Sequence, residues 1–367
     1  MKNLENKRLH ALDVVRGLTI ILMIIVNTPG SWSHVYAPLL HAEWNGITPT
    51  DYVFPSFLFI VGVSIALSFS RQKEQGKNRT EMTKKVLLRS VKIYAVGIFL
   101  WLWPSFNFEG IRWVGVLPRI AFVYLACALL FLYTSRKVQL YLGITLLFFY
   151  WIVMAYVPVP GIGVPDLSVP EKNWAHYLDN LLLPGRLWKH TWDPEGILST
   201  FPAIASGLMG MMAGYHLLKK EELSHRVNQL FFFGFLLLFS GDVMQWFFPL
   251  NKNLWSSSFS LFMGGVSALT LAAAVYVFDL KKMKFRSQFA HVFGVNSIFA
   301  YALSSLLTVV FYSSKWWGIA FNQEFMGLWE RLGFPLKLGS LLYALCYVFI
   351  LWIPTYYLFK KKIFIKL

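Results

Sequence analysis

The chain has 367 residues, of which 56% are hydrophobic and only 14% charged, and its mean hydropathy is +0.52. Soluble domains usually carry about 25% charged residues, so the composition excludes an ordinary soluble fold and indicates an integral membrane protein. The formal net charge of +16 would suit a nucleic-acid-binding protein, but the positions of the basic residues favour a different explanation. The two cysteines, Cys127 and Cys346, lie inside apolar runs and are interpreted as small core residues, not as a disulfide or a metal pair.

Ten apolar runs approach the length of about 20 residues that a helix needs to cross a bilayer. They lie at about 14–33, 52–70, 88–104, 115–134, 138–157, 197–218, 227–248, 257–279, 288–312 and 335–358. We therefore predict an all-α fold, a polytopic integral membrane protein with about ten transmembrane helices, built as one domain over residues 1–367. The first run is followed by many similar ones, so it is predicted to be a span and not a cleavable signal peptide.

Basic residues are concentrated in alternate connections between these runs. Of the 34 Lys and Arg residues, 24 lie at the two termini or in 71–92, 135–137, 219–226 and 280–287. Because the positive-inside rule places such segments in the cytoplasm, both termini are predicted to be cytoplasmic and the protein to lie in the cell inner membrane. The charge is then a topology signal, so nucleic acid is not expected as a partner. The loops 28–51 and 158–196 are predicted to be extracytoplasmic, and a loop as long as the second is often functional.

The same topology places 14 of the 15 tryptophans on or near the outer side of the membrane. An interfacial aromatic belt is one interpretation, although belts form at both interfaces. The asymmetry leaves open a second interpretation, in which aromatic faces line an outward site for a sugar or another flat-faced ligand.

The first predicted helix carries three polar groups that point to chemistry. Asp13 and Arg16 are spaced i,i+3 and can face each other, either as a structural ion pair or with Arg16 meeting an anionic ligand such as a phosphate. Asn27 lies eleven residues beyond Arg16, about 16 Å higher along a helix, which puts it near the outer mouth. A lone Asn in a membrane helix usually bonds to another helix.

The first outer loop holds the densest group of titratable residues. His41 can act as a general base or a nucleophile near neutral pH, and Glu43 and Asp51 are candidates to orient its ring. A solvated loop histidine is the alternative. Thr48 or Thr50 is predicted to cap the helix that follows.

The segment WDPEG precedes the sixth predicted span. Asp193, Pro194 and Glu195 make a good helix start, with Asp as cap, Pro at the first position and Glu complementing the dipole. The other interpretation is that Asp193 or Glu195 faces a substrate and accepts hydrogen bonds from an amine or hydroxyls.

Four further polar groups stand at or inside predicted spans. Lys252 lies in an Asn-, Lys- and Ser-rich segment before the eighth span, where a helix N-terminus suits an anion. Arg119 opens the fourth span and Asn296 lies in the ninth. Asp242, in the seventh, needs a partner such as Arg119 or Lys252. Each of these signals is weak alone, and no metal-ligand spacing or nucleotide-binding loop is present.

Six segments occur in the order found in one family of membrane acyltransferases. They are DVVRGLTIILMIIVN, HAEWNGITPTDYVFPSFLFIVG, VLPRIAFVYL, WDPEGILSTFPAIASG, NKNLW and FGVNSIFAY. On these segments the chain resembles the transmembrane acyltransferase family of heparan-α-glucosaminide N-acetyltransferase and its bacterial relatives, over nearly its whole length. The chain is expected to be similar to the simpler bacterial relatives, which lack the large luminal domain of the lysosomal members.

This resemblance implies an acyltransferase that moves an acetyl group from cytoplasmic acetyl-CoA to the amine of a glucosamine-type sugar on the extracytoplasmic side. The active histidine of the family matches His41, and an asparagine at the end of the first family helix matches Asn27, although the loop between them is longer than in the family. The expected catalytic residues are therefore His41, which takes the acetyl group or deprotonates the amine, Asn27 as an oxyanion donor, and Asp51.

The remaining polar residues are assigned to the two substrates. Acetyl-CoA is expected to meet Arg16, Arg119, Lys252 and Asn296. The sugar is expected to meet Glu43, Trp44, Asn45, Asp193 and Glu195. No metal is expected.

Some relatives are assigned as amino-sugar permeases, so an amino-sugar or muropeptide permease on the same scaffold is the alternative hypothesis. In that case Asn296 and Asp242 would belong to the pathway. The expected partners are the amino sugar, acetyl-CoA and membrane lipid, and a homodimer is a plausible assembly because twofold homo-oligomers are the commonest kind.

Overall fold

The structure is a computed structural model that describes residues 9–283 and 287–365. In these ranges it contains thirteen α-helices and isolated bridges but no named strand. The helices are α1 (His10–Asn27), α2 (Val53–Glu74), α3 (Arg79–Leu102), α4 (Val116–Tyr133), α5 (Arg136–Tyr156), α6 (Trp174–Leu182), α7 (Thr200–Leu217), α8 (Leu223–Met244), α9 (Ser257–Ala274), α10 (Gln288–Val295), α11 (Ser297–Tyr312), α12 (Phe321–Arg331) and α13 (Leu336–Lys360). A 3-10 turn, Pro49–Tyr52, leads into α2, and a π-helical turn, Val275–Leu280, extends α9. The all-α prediction is therefore confirmed for the described residues.

Seven of the described helical segments are long and apolar enough to cross a membrane. They are α1, Pro49–Glu74, α4, α5, α8, Ser257–Leu280 and α13, and the bent pair α10 and α11 makes an eighth if it counts as one span. The protein is thus a multi-pass membrane protein. The predicted spans 88–104 and 197–218 correspond to α3 and α7, which do not meet the same criteria, so the count of ten stays a prediction.

Two predicted spans differ from the structure in a way that has a local cause. The first ends at Asn27 and not at residue 33, because Thr28, Pro29 and Gly30 follow and a proline cannot continue the helix. The ninth is broken at Asn296, where α10 and α11 meet at 87°. The Asn296 amide bonds the backbone of the C-terminal segment, donating to Ile363 O (3.1 Å) and accepting from Ile365 N (2.9 Å).

Residues 1–40, 221–231 and 269–366 form one compact unit. Within it α1 packs directly on α10. A Cβ on Gly17 would lie 1.7 Å from the carbonyl oxygen of Ala290, so only glycine allows this approach. Small residues at such crossings are typical of helix packing in membranes.

Residues 41–220 and 232–268 form the second unit, which contains the loop of His41. Its centre is α7, which packs on α2, α4 and α5. On the loop side of these helices lies an apolar cluster of buried side chains, formed by Tyr150, Met154, Ala175, Leu198, Phe248 and Leu254, with Trp44 packed against it. This cluster anchors the connections that carry the polar residues of the candidate site.

Candidate active site

The block 41–51 folds around one buried carboxylate. Oδ2 of Asp51 accepts hydrogen bonds from Thr48 N (3.0 Å), Thr48 Oγ1 (3.1 Å) and Ala42 N (3.1 Å). Thr48 and Asp51 form a reciprocal capping box at the start of the turn Pro49–Tyr52. One of the two predicted threonines thus caps the turn that leads into α2, whereas α2 itself has Tyr52 as N-cap. The local sequence therefore places Asp51 at the base of the loop.

Asp51 also holds the ring of His41. Nδ1 of His41 lies 2.6 Å from Asp51 Oδ1, and since an ionised carboxylate only accepts hydrogen bonds, Nδ1 carries the proton. The lone pair is then on Nε2. The side chain of Asp51 is 1% exposed, whereas that of His41 is 49% exposed. The ring is therefore held by a buried carboxylate at Nδ1 while about half of its surface stays accessible. The predicted orienting role of Asp51 is consistent with this geometry.

A second motif, the NKNLW segment, pairs with the same loop. Gly46 N donates to Leu250 O (2.7 Å), and Asn251 Nδ2 donates to Asn45 Oδ1 (3.0 Å). Gly46 has φ +94°, a conformation that glycine adopts without strain. Glu43, the other carboxylate predicted to orient the ring, is exposed. Its backbone carbonyl accepts a hydrogen bond from Asn253 Nδ2 (3.4 Å).

The hydrogen bonds between the His41 loop and the NKNLW segment place Lys252 in contact with His41. Its Nζ lies 2.9 Å from Nδ1 and 3.3 Å from Nε2 of the ring, and 3.5 Å from Oδ1 of Asp51. Burial lowers the pKa of Lys252, and the charges of Asp51 and Glu195 oppose that effect. Lys252 therefore lies at the histidine, a position that its place in the sequence did not predict.

Aromatic side chains form one wall beside this loop. Trp44 donates from Nε1 to Leu167 O (2.8 Å), with Asn45 Nδ2 reaching the same carbonyl (3.5 Å). Trp44 packs edge-on to Trp192, and His176 stacks on Trp192. Burial lowers the pKa of His176 to about 3, so the ring is neutral and serves as packing surface. The long connection 158–196 is thus folded against the His41 loop.

A second ionic cluster joins Arg112 to the WDPEG segment. Its guanidinium is bidentate to Asp193 (2.6 Å for both bonds) and also bonds Glu195 Oε2 (2.5 Å). Burial alone would lower the pKa of Arg112, but the bonds and charges of the two carboxylates outweigh it and raise the pKa. Oε1 of Glu195 has no hydrogen bond from the described residues, whereas both oxygens of Asp193 are occupied. Glu195 therefore has one oxygen that does not take part in the bonds to Arg112.

The interpretation of WDPEG as a helix start is wrong. Helix α7 begins at Thr200 with Ser199 as N-cap, whereas the carboxylates of Asp193 and Glu195 bond Arg112. Sequence reasoning also missed Arg112 as their partner. The available signal was that it is one of few basic residues in a predicted outer connection.

Arg119 is buried behind this cluster. It bonds Gly196 O (3.1 Å) and the Ser199 hydroxyl, and its guanidinium lies 5.2 Å from the Trp255 ring centre. Nε and Nη1 have no hydrogen-bond partner among the described residues. Asp242, for which Arg119 or Lys252 was the predicted partner, accepts a bond from Gln245 (2.5 Å).

The other predicted site residues belong to the first unit. Arg16 bonds Asp13 (3.1 Å) and Gly294 O (3.2 Å), so the predicted i,i+3 ion pair is confirmed. Asn27 is the exposed last residue of α1, and Asn296 holds the C-terminal segment.

The helices and the His41 loop together define a multi-pass membrane protein with a histidine–aspartate pair suited to acid–base or acyl-transfer chemistry. The profile of the family described as heparan-alpha-glucosaminide N-acetyltransferase, catalytic, matches residues 8–248, more than half of the chain. The chain belongs to this family.

Two curated relatives, both heparan-alpha-glucosaminide N-acetyltransferases, support the same assignment. The protein of Mus musculus is 27% identical over 416 residues, covering 98% of this chain and 60% of the relative. The protein of Homo sapiens is 29% identical over 350 residues, covering 80% of this chain and 52% of the relative. The chain thus spans between half and two thirds of the length of these relatives.

Proposed function

We propose that the protein is a transmembrane N-acetyltransferase that moves an acetyl group from cytoplasmic acetyl-CoA to the amine of a glucosamine-type sugar on the extracytoplasmic side of the inner membrane. The observation that carries this proposal is the His41–Asp51 pair, in which the lone pair is on Nε2 and the ring is half-exposed. The pair lies within the stretch matched by the acetyltransferase family.

Two routes use this geometry. In the first, Nε2 of His41 attacks the thioester carbonyl carbon and later passes the acetyl group to the amine. In the second, Nε2 takes the amine proton while the amine itself attacks. Acetylated protein after incubation with acetyl-CoA and no sugar identifies the first route. In both, Asp51 holds the Nδ1–H tautomer, and the oxyanion role of Asn27 stays a prediction.

The sugar is proposed to bind between the aromatic wall and the WDPEG cluster. The free Oε1 of Glu195 suits an ammonium or a hydroxyl group. Trp44 supplies an apolar face to a sugar ring, and Glu43, Asn45 and Asp193 complete the group of residues proposed to hold it. Asp193 acts through Arg112, because both of its oxygens are already bonded.

Arg119 and Lys252 are proposed to meet acetyl-CoA, with Lys252 at its thioester end beside His41, and the assignment of Arg16 and Asn296 to acetyl-CoA stays a prediction. The unpaired Nε and Nη1 of Arg119 favour an acceptor-rich ligand. We further propose ten spans with cytoplasmic termini, on the strength of the charge distribution, and a homodimer in the membrane.

Vesicles that contain the full chain, with acetyl-CoA inside and glucosamine outside, test the proposal. We expect acetylated sugar outside, dependent on acetyl-CoA inside. His41→Ala should lower the rate by roughly 10²- to 10⁴-fold, the usual contribution of an acid–base group, with acetyl-CoA binding nearly unchanged. His34→Ala, the other histidine of this loop, is the control and should stay active.

Two results would overturn the proposal. One is a fully active His41→Ala variant. The other is counterflow of unmodified glucosamine without an acyl donor and without acetylated product, which would identify a permease.

A further inference from the structure

The Nζ atom of Lys252 lies against the ring of His41. Nζ is at similar distances from both ring nitrogens, 2.9 Å and 3.3 Å, and it is 3.5 Å from Oδ1 of Asp51. Since Nδ1 already donates its proton to Asp51, Nζ is not its hydrogen-bond donor partner. Nζ therefore lies 3.3 Å from Nε2, the ring nitrogen proposed to react.

The chain holds this cation in place on both sides. The residue before it, Asn251, is 1% exposed, and its side chain donates to Asn45 (3.0 Å) and accepts from Leu254 N (2.9 Å). The backbone carbonyl of Lys252 accepts from Trp255 N (3.0 Å). These bonds fix the backbone from which the Lys252 side chain extends, and the contacts of Nζ with His41 and Asp51 position the amine beside the ring, as electrostatic stabilisation requires.

The other buried cations of the second unit are occupied elsewhere. Arg112 is bonded to Asp193 and Glu195, and Arg119 to Gly196 and Ser199. Among the described residues, Lys252 is the cation in contact with both His41 and Asp51. Its side chain is only 15% exposed, and charge interactions are stronger in such a site than in water.

We propose that Lys252 is a catalytic residue whose ammonium stabilises the negative charge on the carbonyl oxygen of the acyl donor. This inference rests on the proposed acetyl transfer at His41. In this proposal Lys252 acts at the carbonyl group of acetyl-CoA and does not bind its phosphate groups.

The same charge forms in either route. When Nε2 or the acceptor amine adds to the carbonyl carbon, a new C–N bond forms and the C=O π electrons move onto oxygen. In the direct route, collapse of this alkoxide re-forms C=O, breaks the C–S bond and releases the CoA thiolate, and the amine proton passes by way of Nε2 to that thiolate. In the histidine route, the same collapse leaves the acetyl group on Nε2. The amine then adds to this acetyl group, collapse of the second alkoxide breaks the C–Nε2 bond, and the amine proton balances the thiolate already released.

A purely structural role, in which Lys252 only neutralises Asp51, predicts a different result. Loss of a structural ion pair would lower the amount of folded protein and disturb substrate binding. Loss of oxyanion stabilisation lowers kcat and leaves KM in place, because the interaction exists only in the transition state.

Steady-state kinetics of the full chain in lipid nanodiscs, with acetyl-CoA and glucosamine, separate the two roles. Lys252→Met should lower kcat about 10²- to 10³-fold, as loss of an oxyanion donor does, with both KM values nearly unchanged. Lys252→Arg keeps the charge and should recover part of kcat. Lys189→Met, an exposed lysine of the connection 158–196, is the control and should match the unmodified protein.

A second variant covers the case in which Lys252→Met does not fold. Lys252→Gln keeps a hydrogen-bond donor for Asp51 and lacks the charge, so it should show the same loss of kcat. A folded Gln or Met variant with kcat near that of the unmodified protein, or a loss confined to KM, overturns the role of Lys252 alone. An unmodified protein that transfers no acetyl group in this assay overturns the proposed function, and the role of Lys252 with it.

Discussion

Asp51 performs several tasks with one carboxylate. Oδ2 caps the turn before α2 and holds the backbone of Ala42, while Oδ1 faces His41 and Lys252. Substitution of Asp51 therefore disturbs the loop, the helix start and the ring together. His41 and Lys252 are the more informative positions, since each contributes one function to the site.

Asp179 is a second residue whose burial has a measurable effect. Its side chain on α6 is fully buried, with Oδ1 accepting from Ile197 N (2.8 Å) and Oδ2 without a hydrogen-bond partner among the described residues. Burial raises the pKa of Asp179 to about 7, and the nearby charge of Asp193 adds to this while the Ile197 bond opposes it. The fold therefore favours the protonated carboxyl.

This raised pKa predicts a pH-dependent loss of stability. The contribution of Asp179 is present below its ordinary pKa of 3.8 and is lost as pH rises through about 7. Asp179→Asn is neutral at every pH, so the melting temperature of the unmodified protein should fall relative to that of the variant between pH 5 and pH 8. Glu171→Gln, an exposed acid of the same loop, should leave the pH slope unchanged. Parallel slopes for the Asn variant and the unmodified protein would contradict this account.

At the scale of elements, the contact between α2 and α7 sets the geometry of the site. Helix α2 begins just after Asp51, and α7 begins just after the WDPEG segment. A Cβ on Gly210 of α7 would lie 1.9 Å from the carbonyl oxygen of Phe59 on α2. The backbones of α2 and α7 are therefore in contact at this crossing. This contact positions the His41 loop and the WDPEG segment, which precede the two helices.

Gly210→Ala should separate these helices and destabilise the protein by about 1–3 kcal/mol, the usual effect of overpacking. Gly143→Ala on α5 is the matched control, because its Cβ would meet Leu208 at an ordinary 3.6 Å. Thermal unfolding in detergent should show a lower melting temperature for the first variant and no decrease for the second. Equal melting temperatures would show that the α2–α7 contact tolerates a methyl group.

At the scale of the whole molecule, the distribution of Lys and Arg among the connections predicts which of them face the cytoplasm. The described helices provide seven or eight membrane spans, and α8 exposes a row of phenylalanines, Phe231, Phe232, Phe233, Phe235 and Phe239, as expected of a surface in contact with lipid. The basic connections 71–92 and 219–226 are predicted to be cytoplasmic, and 158–196 to lie outside.

Two glycines provide a matched test of this topology. Gly76 and Gly161 have similar φ values, +72° and +75°, and a Cβ added at either would meet open space, but they lie in connections predicted to face opposite sides. In a variant that lacks the exposed Cys346, Gly161→Cys should react with a membrane-impermeant maleimide on intact spheroplasts. Gly76→Cys should react only after lysis, and labelling of both in intact spheroplasts would contradict the predicted sidedness.

Short-range features of the site could be predicted from sequence, and long-range ones could not. His41 and Asp51 lie ten residues apart in one loop, so their pairing is a local property, as is the capping by Thr48. Lys252 lies 211 residues from His41 and Arg112 lies 81 from Asp193. Hydropathy locates helices but carries no information about which of their connections pair, so these two cations were not assigned to their partners.

The long separation of His41 and Lys252 in the sequence also sets the order in which the parts of the candidate site are synthesised. Because 211 residues separate His41 from Lys252, the ribosome adds the lysine roughly 10–40 s after the histidine at ordinary rates of translation. A nascent chain can therefore place the His41–Asp51 loop across the membrane long before its cation exists. The candidate site therefore stays without Lys252 until the helices α1 to α8, which precede this residue in the chain, have been made.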